Sequence, residues 1–351
     1  MPVSHSPFIS ASALQALPRN GFTSVKVLVM GDLMLDQYVD GEVQRISPEA
    51  PVPVLSVQKR RAVPGGAANV AMNIGGLNAE VITGGVVGRD AAGERILELL
   101  SESGAGLECV ITIPSRPTTC KTRVICGNHQ IVRLDEEVSD RLGDKHEREL
   151  IDRVASCLRR GDIDAVILSD YGKGVLSQSC PQIIIENCRR YGIPVLVDPK
   201  RQDYTAYKGA ACITPNQKEF FSAVTAVGMH RDDFNFAGFA FREQLDCTAL
   251  VVTQGAGGMT LFTAGQAHHV PALAEEVFDV SGAGDTVIAT LGAAVGQGLS
   301  FQHAVEIANA AASIVVRRAG TTPVSWRDLS ELLGMDAALS LGEERIAAAT
   351  Y

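Results

Sequence analysis

Short apolar runs alternate with longer amphipathic segments along most of this chain. Runs rich in aliphatic residues predict strands at 25–30, 80–87, 107–113, 165–169, 194–197 and 249–253. Between them, apolar positions three and four residues apart predict helices at 91–103, 144–160, 178–191 and 301–317. Strands separated by helices of about 10–15 residues are typical of a parallel sheet covered on both faces. We therefore predict an α/β fold with a doubly wound, mainly parallel sheet.

Two stretches interrupt this alternation. Residues 52–57 alternate between apolar and polar side chains, and the prolines at 48, 51 and 53 would confine a strand there to a sheet edge. Residues 122–126 and 129–134 flank a Gly127-Asn128 pair, which is the pattern of a β-hairpin. We predict that 38–63 and 118–135 form a small β lid beside the main body. Such a lid would exclude water from a bound ligand, or provide a homodimer surface through its strand edges, or both.

Composition narrows the classes of partner and location that the protein can have. Hydrophobic residues make up 46% of the 351 residues, yet no run approaches the roughly 18 consecutive apolar residues of a membrane span. The net charge is −9 and no basic block is present, which argues against nucleic acid as a partner. We expect one large domain at 24–325, a loose leader at 1–23, a C-terminal helix or tail at 326–351, and small acidic metabolites held by a few local cations.

The eight cysteines lie mostly within apolar runs and show no Cys-x-x-Cys spacing. This distribution predicts buried, reduced thiols in a cytoplasmic protein, in preference to zinc ligands or a disulfide framework.

Residues 279–286 combine a small-residue turn with the start of a helix of small and apolar residues. The first N–H groups of a helix have no partner within it and carry the positive end of its dipole. Gly282, Ala283 and Gly284 would therefore surround an anion, most simply a phosphoryl group. Asp285 would accept the proton of a hydroxyl that attacks the same phosphorus. The alternative is a glycine-rich cap with Asp285 as a first-turn acid, and the motif alone favours neither.

A second candidate site lies near the N-terminus. Gly65 and Gly66 permit close approach of a ligand to the backbone, and Asn69 lies in the first turn of the helix predicted after them. Asn69 would suit a polyol, or would simply cap the helix. Asp36, in the loop predicted after the first strand, lies where α/β sheets bind ligands, and its carboxylate suits sugar hydroxyls. Asp32 in the same loop is interpreted as a turn or cap residue.

Polar residues also follow the next strands. Lys173 would anchor a substrate anion, or would be a solvated surface lysine, and 198–200 would face the same crevice. The helix at 301–317 carries a face of small residues that would admit a flat base or would only pack tightly; its members are Ala308, Ala311 and Ala312.

Two later motifs suit a nucleotide. Asn216 and Glu219, at i and i+3, would order a hydrated Mg²⁺ and its phosphates, or would form a capping box, which the spacing alone favours. Thr253, Gly255 and Gly258 follow a strand and offer a hydroxyl and free amides to phosphates. The sequence there is neither a Walker A loop nor a dinucleotide fingerprint.

Five features occur in one order: Asp36, Gly65-Gly66-Ala67-Ala68-Asn69, Asn216-x-x-Glu219, Thr253-x-Gly255-x-x-Gly258 and Asp279-x-x-Gly282-Ala283-Gly284-Asp285. This ordered set closely resembles the ribokinase-like, or PfkB, family of carbohydrate kinases over about 24–325. The resemblance implies ATP and Mg²⁺ as cofactors, Asp285 as the base, and the amides of 282–285 as the hole for the γ-phosphate.

The same resemblance implies roles for the other motifs. The ATP contacts would be Thr253, Gly255 and Gly258, with Asn216 and Glu219 organising Mg²⁺ through water. Sugar hydroxyls would be held by Asp36, Gly65, Gly66 and Asn69. Many family members also use a monovalent cation such as K⁺, for which Asp279 and carbonyls near Gly320 are candidates.

Within the family, segments 45–54, 64–73 and 169–174 look most like the kinases of heptose 7-phosphate, in their stand-alone form. This implies phosphorylation of the anomeric hydroxyl in the synthesis of ADP-heptose for lipopolysaccharide. Lys173, Arg133 and Arg45 are the candidates for holding the 7-phosphate. The glycine motif is one residue shorter than the commoner Gly-Gly-x-x-x-Asn form. The alternatives are a kinase for another sugar phosphate or a nucleoside, and a sugar-nucleotide sensor without useful catalysis.

Overall fold

The computed structural model describes residues 8–335 except 128, 178, 231, 275 and 319. Within these residues the strands are β1 (Lys26–Gly31), β2 (Leu33–Ile46), β3 (Pro53–Gly66), β4 (Glu80–Val87), β5 (Gly106–Thr112), β6 (Thr119–Cys126), β7 (His129–Glu136), β8 (Ala165–Ser169), β9 (Val195–Asp198), β10 (Cys212–Ile213), β11 (Ala249–Thr253), β12 (Met259–Thr263) and β13 (Gln266–Val270). The helices are α1 (Ala11–Ala16), α2 (Ala67–Gly76), α3 (Ala91–Glu102), α4 (Asp144–Leu158), α5 (Cys180–Arg190), α6 (Gln217–Ala226), α7 (Phe234–Gln244), α8 (Ala283–Gly296), α9 (Phe301–Val315) and α10 (Trp326–Leu332).

The main sheet has the strand order β13-β12-β11-β10-β9-β8-β1-β4-β5. Strands β4, β5 and β8 to β11 pair in parallel around β1, and only β12 and β13 are antiparallel. One apolar core lies between the sheet and α2, α8 and α9, and a second lies between the opposite face and α4, α5 and α7. The predicted doubly wound α/β fold is confirmed.

Helix α8 packs unusually close to the sheet because its inward residues are small. A Cβ on Gly292 would lie 2.5 Å from the Ile167 side chain, which shows how little space separates the helix from β8. Apolar and small residues fill this interface, and Ile288, Ala289 and Leu291 are fully buried. The start of α8 is thereby fixed at the carboxyl ends of the parallel strands, where such sheets bind ligands.

The predicted β lid is confirmed as a second sheet with the order β3-β2-β6-β7. Strand β3 lies at its edge, as the prolines near 53 predicted, and β6 and β7 form the predicted hairpin. The lid begins earlier than expected, since β2 starts at Leu33. Asp36 is therefore not in a loop after β1, as we predicted, but within a lid strand, opposite Val63 and Lys121.

The start of the chain is more ordered than a loose leader. Helix α1 lies within the region predicted as that leader, and Ile9, Ala13 and Leu17 are buried in the core beneath α9. The Ser10 backbone N–H also donates to the Glu306 carboxylate at 2.7 Å. The prediction for 1–23 is thus wrong for 8–23, because the spaced apolar side chains pack. Residues 1–7 and 336–351, and Asn128 of the hairpin turn, lie outside the described residues.

The prediction of buried thiols is confirmed for seven of the eight cysteines, and Cys126 is half-buried. Among the described residues, no helix combines the length and the apolar character needed to cross a bilayer.

Candidate active site

Asp285 lies in the first turn of α8 and is buried, with 4% of its surface exposed. The Asn69 side-chain amide donates to Asp285 Oδ2 at 2.6 Å, and the Tyr171 hydroxyl donates to Oδ1. Each carboxylate oxygen therefore has one donor and keeps a lone pair for another hydrogen. Asp285 is also the acid of the first turn after the Gly282 cap, as the alternative interpretation predicted, but its carboxylate makes no cap bond to α8.

The electrostatics at Asp285 favour proton acceptance near neutral pH. Burial raises the pKa of its carboxyl from 3.8 to about 6, while the hydrogen bonds from Asn69 and Tyr171 act in the opposite direction. The charge of Asp36 adds to the increase, and the charge of Lys121 reduces it. A group with this pKa is ionised at neutral pH and still basic enough to accept a proton.

The turn before α8 uses one of its amides internally, since the Ala283 N–H donates to the Val280 carbonyl at 3.2 Å. Gly282 precedes the helix in the left-handed conformation, with φ = 80°. A Cβ there would lie 3.0 Å from the Asn69 amide nitrogen and 3.2 Å from Thr321 Cγ2. Glycine is thus required by both backbone shape and space. The Gly284 amide follows at the positive end of the helix dipole, which suits an anion. The Ala283 amide, which we also predicted for the anion, is instead bonded to Val280.

Asp36 and Gly65 lie together on the lid side of the site. Asp36 is 6% exposed and its Oδ1 accepts from Arg123 Nη1 at 2.5 Å. A Cβ on Gly65 would come within 2.6 Å of Asp36 Oδ2, so the glycine leaves room beside this carboxylate. Gly66 caps α2 with φ = 56°, and α2 then positions Asn69. The predicted sugar residues are therefore neighbours on β2, β3 and α2, adjacent to Asp285.

A cavity of about 380 Å³ opens beside the start of α8. It is lined by the three predicted ATP residues together with Ala283, Gly284 and a largely apolar wall from α9 and the loop before α8; the three are Thr253, Gly255 and Gly258. Of the small residues predicted on α9, Ala312 lines the cavity, whereas Ala308 and Ala311 are fully buried. The wall instead uses Asn309, Ser313 and Val316.

Asn216 and Glu219 form the capping box that their spacing favoured. Asn216 Oδ1 accepts from the Glu219 N–H at 2.9 Å, and the Glu219 carboxylate accepts from the Asn216 N–H at 3.1 Å. Both residues also line a second cavity of about 180 Å³, with Asp198, Lys200 and Gly284. The Glu219 carboxylate is paired with Lys200 Nζ at 2.9 Å. The cap thus fixes two polar groups beside Gly284 at the start of α8.

Asp32 holds the turn after β8, as its interpretation as a turn residue predicted. Its Oδ2 accepts from the N–H groups of Tyr171 at 2.8 Å and Lys173 at 3.0 Å, and its Oδ1 accepts from Val175 at 3.2 Å. Asn73 has a similar structural role, because its Oδ1 accepts from Thr286 Oγ1 and from the Val324 N–H, each at 3.0 Å. These two buried residues connect the elements that carry the site.

The three basic side chains predicted to hold the 7-phosphate differ in their location and in their partners. Lys173 Nζ is paired with Glu137 at 2.6 Å. Arg133 lies on the exposed strand β7, with Nε and Nη2 bonded to Asp135 at 2.8 and 2.7 Å. Arg45 is exposed near the far end of β2, nine residues beyond Asp36.

Arg133 belongs to a row of arginines that the sequence analysis missed. This arginine row crosses the four lid strands in register, with Arg61 on β3, Arg123 on β6 and Arg133 on β7. On β2 the same register position is occupied by Tyr38. The Arg61 guanidinium stacks on the Tyr38 ring at 3.7 Å, and that of Arg123 lies 5.4 Å from it. Side chains alternate along a strand, so this row shares a face with Asp36, two residues before Tyr38.

Asp279 lies three residues before Gly282, at the beginning of the turn that leads into α8. Its Oδ1 accepts from the Ser281 N–H at 2.9 Å, and its Oδ2 accepts from the Gly320 N–H at 2.9 Å. Burial opposes ionisation, but these backbone donors lower the pKa of the Asp279 carboxyl overall. No group of three or more acidic, histidine or cysteine ligands suited to a metal occurs among the described residues.

Sequence reasoning gave no role to Tyr171, Arg123 or Arg61. Tyr171 lies within the segment that we quoted, but only its fold reveals that the phenol reaches Asp285. The hairpin register could have placed Arg123 opposite Arg133, since both strands and their turn were predicted. Arg61 depends on the pairing of β2 with β3, for which the sequence carried no turn signal.

A buried carboxylate, the N-terminus of a helix and a nucleotide-sized cavity at the carboxyl edge of a parallel sheet fit a small-molecule phosphotransferase. Residues 25–328 match the sequence profile described as pfkB family carbohydrate kinase. The chain belongs to this family and is a carbohydrate kinase.

The relatives agree. The chain is 44% identical over 314 residues to the bifunctional protein HldE of Methylobacillus flagellatus, covering 89% of this chain and 64% of that protein. It is 43% identical over 315 residues to HldE of Geobacter sulfurreducens, covering 89% and 63%. The chain thus spans just under two thirds of these relatives.

Solved structures share the fold. The ribokinase of Arabidopsis thaliana, complexed with ribose and ATP, has a TM-score of 0.68 at 22% identity, over 88% of this chain and 98% of that one. Phosphofructokinase-2 of Escherichia coli, in complex with potassium, has a TM-score of 0.71 at 20% identity, over 89% and 98%.

Proposed function

We propose that this protein transfers the γ-phosphoryl group of ATP to the anomeric hydroxyl of D-glycero-β-D-manno-heptose 7-phosphate, giving the 1,7-bisphosphate and ADP. The observation that carries the proposal is the location of Asp285, between Asn69 and the first turn of α8 after Gly282. The resemblance of three segments to heptose 7-phosphate kinases, and the identity to HldE proteins, support this substrate.

The residues of the chain would divide the work as follows. Asp36, Gly65, Gly66 and Asn69 hold the sugar, and Asp285 accepts the proton of the anomeric hydroxyl as its oxygen attacks the γ-phosphorus. The new O–P bond forms while the bond from phosphorus to the β-phosphate oxygen breaks, and ADP leaves. The amides of 282–285 receive the charge that develops on the transferred group. The proton on Asp285 passes to solvent after release.

ATP would occupy the 380 Å³ cavity, with its phosphates toward Thr253, Gly255 and Gly258. The cavity fits a nucleotide because its base end is apolar and its other end meets the start of α8. Mg²⁺ usually keeps several waters and needs few protein carboxylates, so Asn216 and Glu219 would hold the hydrated ion. The ion would neutralise charge on the phosphates.

A monovalent cation such as K⁺ would lie near Asp279 and the carbonyls beside Gly320, as the family resemblance implies. The ionised Asp279 carboxylate, 2.9 Å from the Gly320 N–H, supports this assignment. Dependence of the rate on K⁺, compared with Na⁺ at equal ionic strength, tests it.

The arginine row favours a sugar phosphate over a nucleoside. The row places three guanidinium groups on neighbouring strands, and among the described residues each has a single carboxylate partner: Arg61 with Asp40, Arg123 with Asp36 and Arg133 with Asp135. A phosphate between the three would give each a second anionic partner. Arginine binds phosphate through two parallel hydrogen bonds. We therefore assign the 7-phosphate to this row, with Lys173 at its margin, and leave Arg45 out. A sensor without catalysis is disfavoured, because a binder gains nothing from a buried base such as Asp285.

The test is ADP release with a panel of acceptors: heptose 7-phosphate, unphosphorylated heptose, ketohexose phosphates and nucleosides. Arg133→Gln should raise the KM for heptose 7-phosphate about tenfold and leave the KM for ATP unchanged. Arg148→Gln, an exposed arginine on α4, is the matched control. Preference for a nucleoside, or equal rates with and without the 7-phosphate, would reject the substrate assignment.

Two further assignments belong to this proposal. The enzyme would act in the cytoplasm, where ATP and the sugar phosphate are available. It would form a homodimer through the lid, whose edge strand β7 exposes Ile131, Val132 and Leu134. The mass in solution, measured at working concentration, tests the dimer, and a strict monomer would refute it.

A further inference from the structure

The turn after β8 is fixed by a set of backbone hydrogen bonds. Asp32 binds the N–H groups of Tyr171, Lys173 and Val175, and Asp170 Oδ1 accepts from the Gly172 N–H at 2.8 Å. The two buried carboxylates thus accept hydrogen bonds from four backbone amides of one short turn. The direction of the Tyr171 side chain is therefore set by its backbone.

The Tyr171 phenol points at Asp285 and donates to its Oδ1. The second oxygen accepts from Asn69, which the proposed function assigns to sugar binding. In the proposed function Asn69 also serves the sugar, whereas Tyr171 is given no role toward it. The two donors are thus not equivalent, because one belongs to the substrate side and the other to the rigid turn.

We propose that Tyr171 is a positioning residue, whose hydroxyl fixes the Asp285 carboxylate and keeps it ionised so that Oδ2 faces the acceptor hydroxyl. This rests on the proposed role of Asp285 as the base. Tyr171 does not take the proton itself. It acts through Asp285, by holding one oxygen in place while the other reacts.

The charges around Asp285 agree with this role. Asp36 on β2 opposes ionisation of Asp285, while Lys121 on β6 favours it. Burial, and next the Asp285 charge, raise the pKa of Asp198 at the end of β9. Tyr171 adds a favourable hydrogen bond to a site that burial makes unfavourable for charge. Burial, and next the Asp285 charge, raise the pKa of Tyr171 well above its usual value, so the phenol stays a donor.

The test is the pH dependence of kcat/KM for Tyr171→Phe. Removing the hydroxyl removes a bond that stabilises the carboxylate, so the acid limb should move upward by roughly one pH unit. The matched control is Ser177→Ala, which removes another buried hydroxyl bonded to an acid, Glu147 on α4, outside the turn that holds Tyr171. The control should leave the acid limb at its wild-type position. A folded Tyr171→Phe enzyme with an unmoved limb would overturn the proposal.

Two measurements keep the test decisive. A ring-fluorinated tyrosine at 171 is a stronger hydrogen-bond donor, so the acid limb of the kcat/KM profile should move to lower pH. An unmoved limb counts against the proposal even if the Phe variant fails to fold. Infrared difference spectra follow the Asp285 carboxyl without turnover, with Asp285→Asn identifying its band. Because this titration needs no acceptor, it separates failure of the Tyr171 role from failure of the proposed substrate.

Discussion

Relative to the wild type, Asp285→Asn should gain stability as the pH rises, while it removes the proposed base. The raised pKa of Asp285, about 6 against 3.8, means that folding disfavours its charge by about 3 kcal/mol at high pH, at ~1.4 kcal/mol per unit. Because the folded pKa lies above the unfolded one, this cost is absent below about pH 4 and complete above about pH 6. At pH 5 roughly half of it is present. The amide carries no charge, so the variant escapes the cost.

The loss of a hydrogen bond lowers the stability of the variant by the same amount at every pH. Both Asn69 and Tyr171 donate to Asp285, and an amide at 285 can accept from only one of them through its oxygen. The lost bond subtracts about 1–3 kcal/mol at every pH. The stability difference between variant and wild type should therefore rise by roughly 1–2 kcal/mol from pH 5 to pH 8, whatever its absolute value.

Urea denaturation at both pH values measures this difference. Asp152→Asn, an exposed acid on α4, is the matched control because it changes the net charge equally, and its difference should stay nearly constant. The same Asp285→Asn preparation should lose about 10²–10⁴-fold in kcat. A stability difference that does not depend on pH would refute the account of a buried, destabilised charge.

Two glycine substitutions test the walls of the site. Gly282→Ala should lower kcat at least about tenfold, because its Cβ would crowd Asn69 and strain the left-handed backbone. The control is Gly298→Ala, at a glycine with φ = 87° and open space around it. This control introduces the backbone strain without the crowding, so it should keep the wild-type kcat. Gly65→Ala should raise the sugar KM about tenfold and leave the KM for ATP unchanged, since its Cβ displaces Asp36. Steady-state kinetics with each substrate varied decides both, and an unaffected kcat or sugar KM would contradict them.

Local patterns were enough to predict most of the main sheet. The runs at 80–87, 165–169 and 249–253 coincide with β4, β8 and β11, because strands buried on both faces are continuously apolar. The helix caps at Asn216 and Gly282 were also visible, since capping depends on neighbours in sequence.

Long-range pairing was not visible in the same way. Asp36 was predicted in a loop because β2 follows β1 after one residue, with no turn signal between them. Tyr171 reaches Asp285 across 114 positions of sequence, and no periodicity encodes that contact. Helix α1 was missed because six residues carry too weak a periodic signal, although Ala13 is completely buried.

The most direct test of the central claim is ³¹P NMR of the protein with ATP, Mg²⁺ and D-glycero-β-D-manno-heptose 7-phosphate. We predict a new resonance from a phosphate on the anomeric carbon, growing in step with ADP and absent with Asp285→Asn. ADP formed without that resonance, or the same resonance at a wild-type rate with Asp285→Asn, would contradict the claim that this carboxylate activates the sugar hydroxyl.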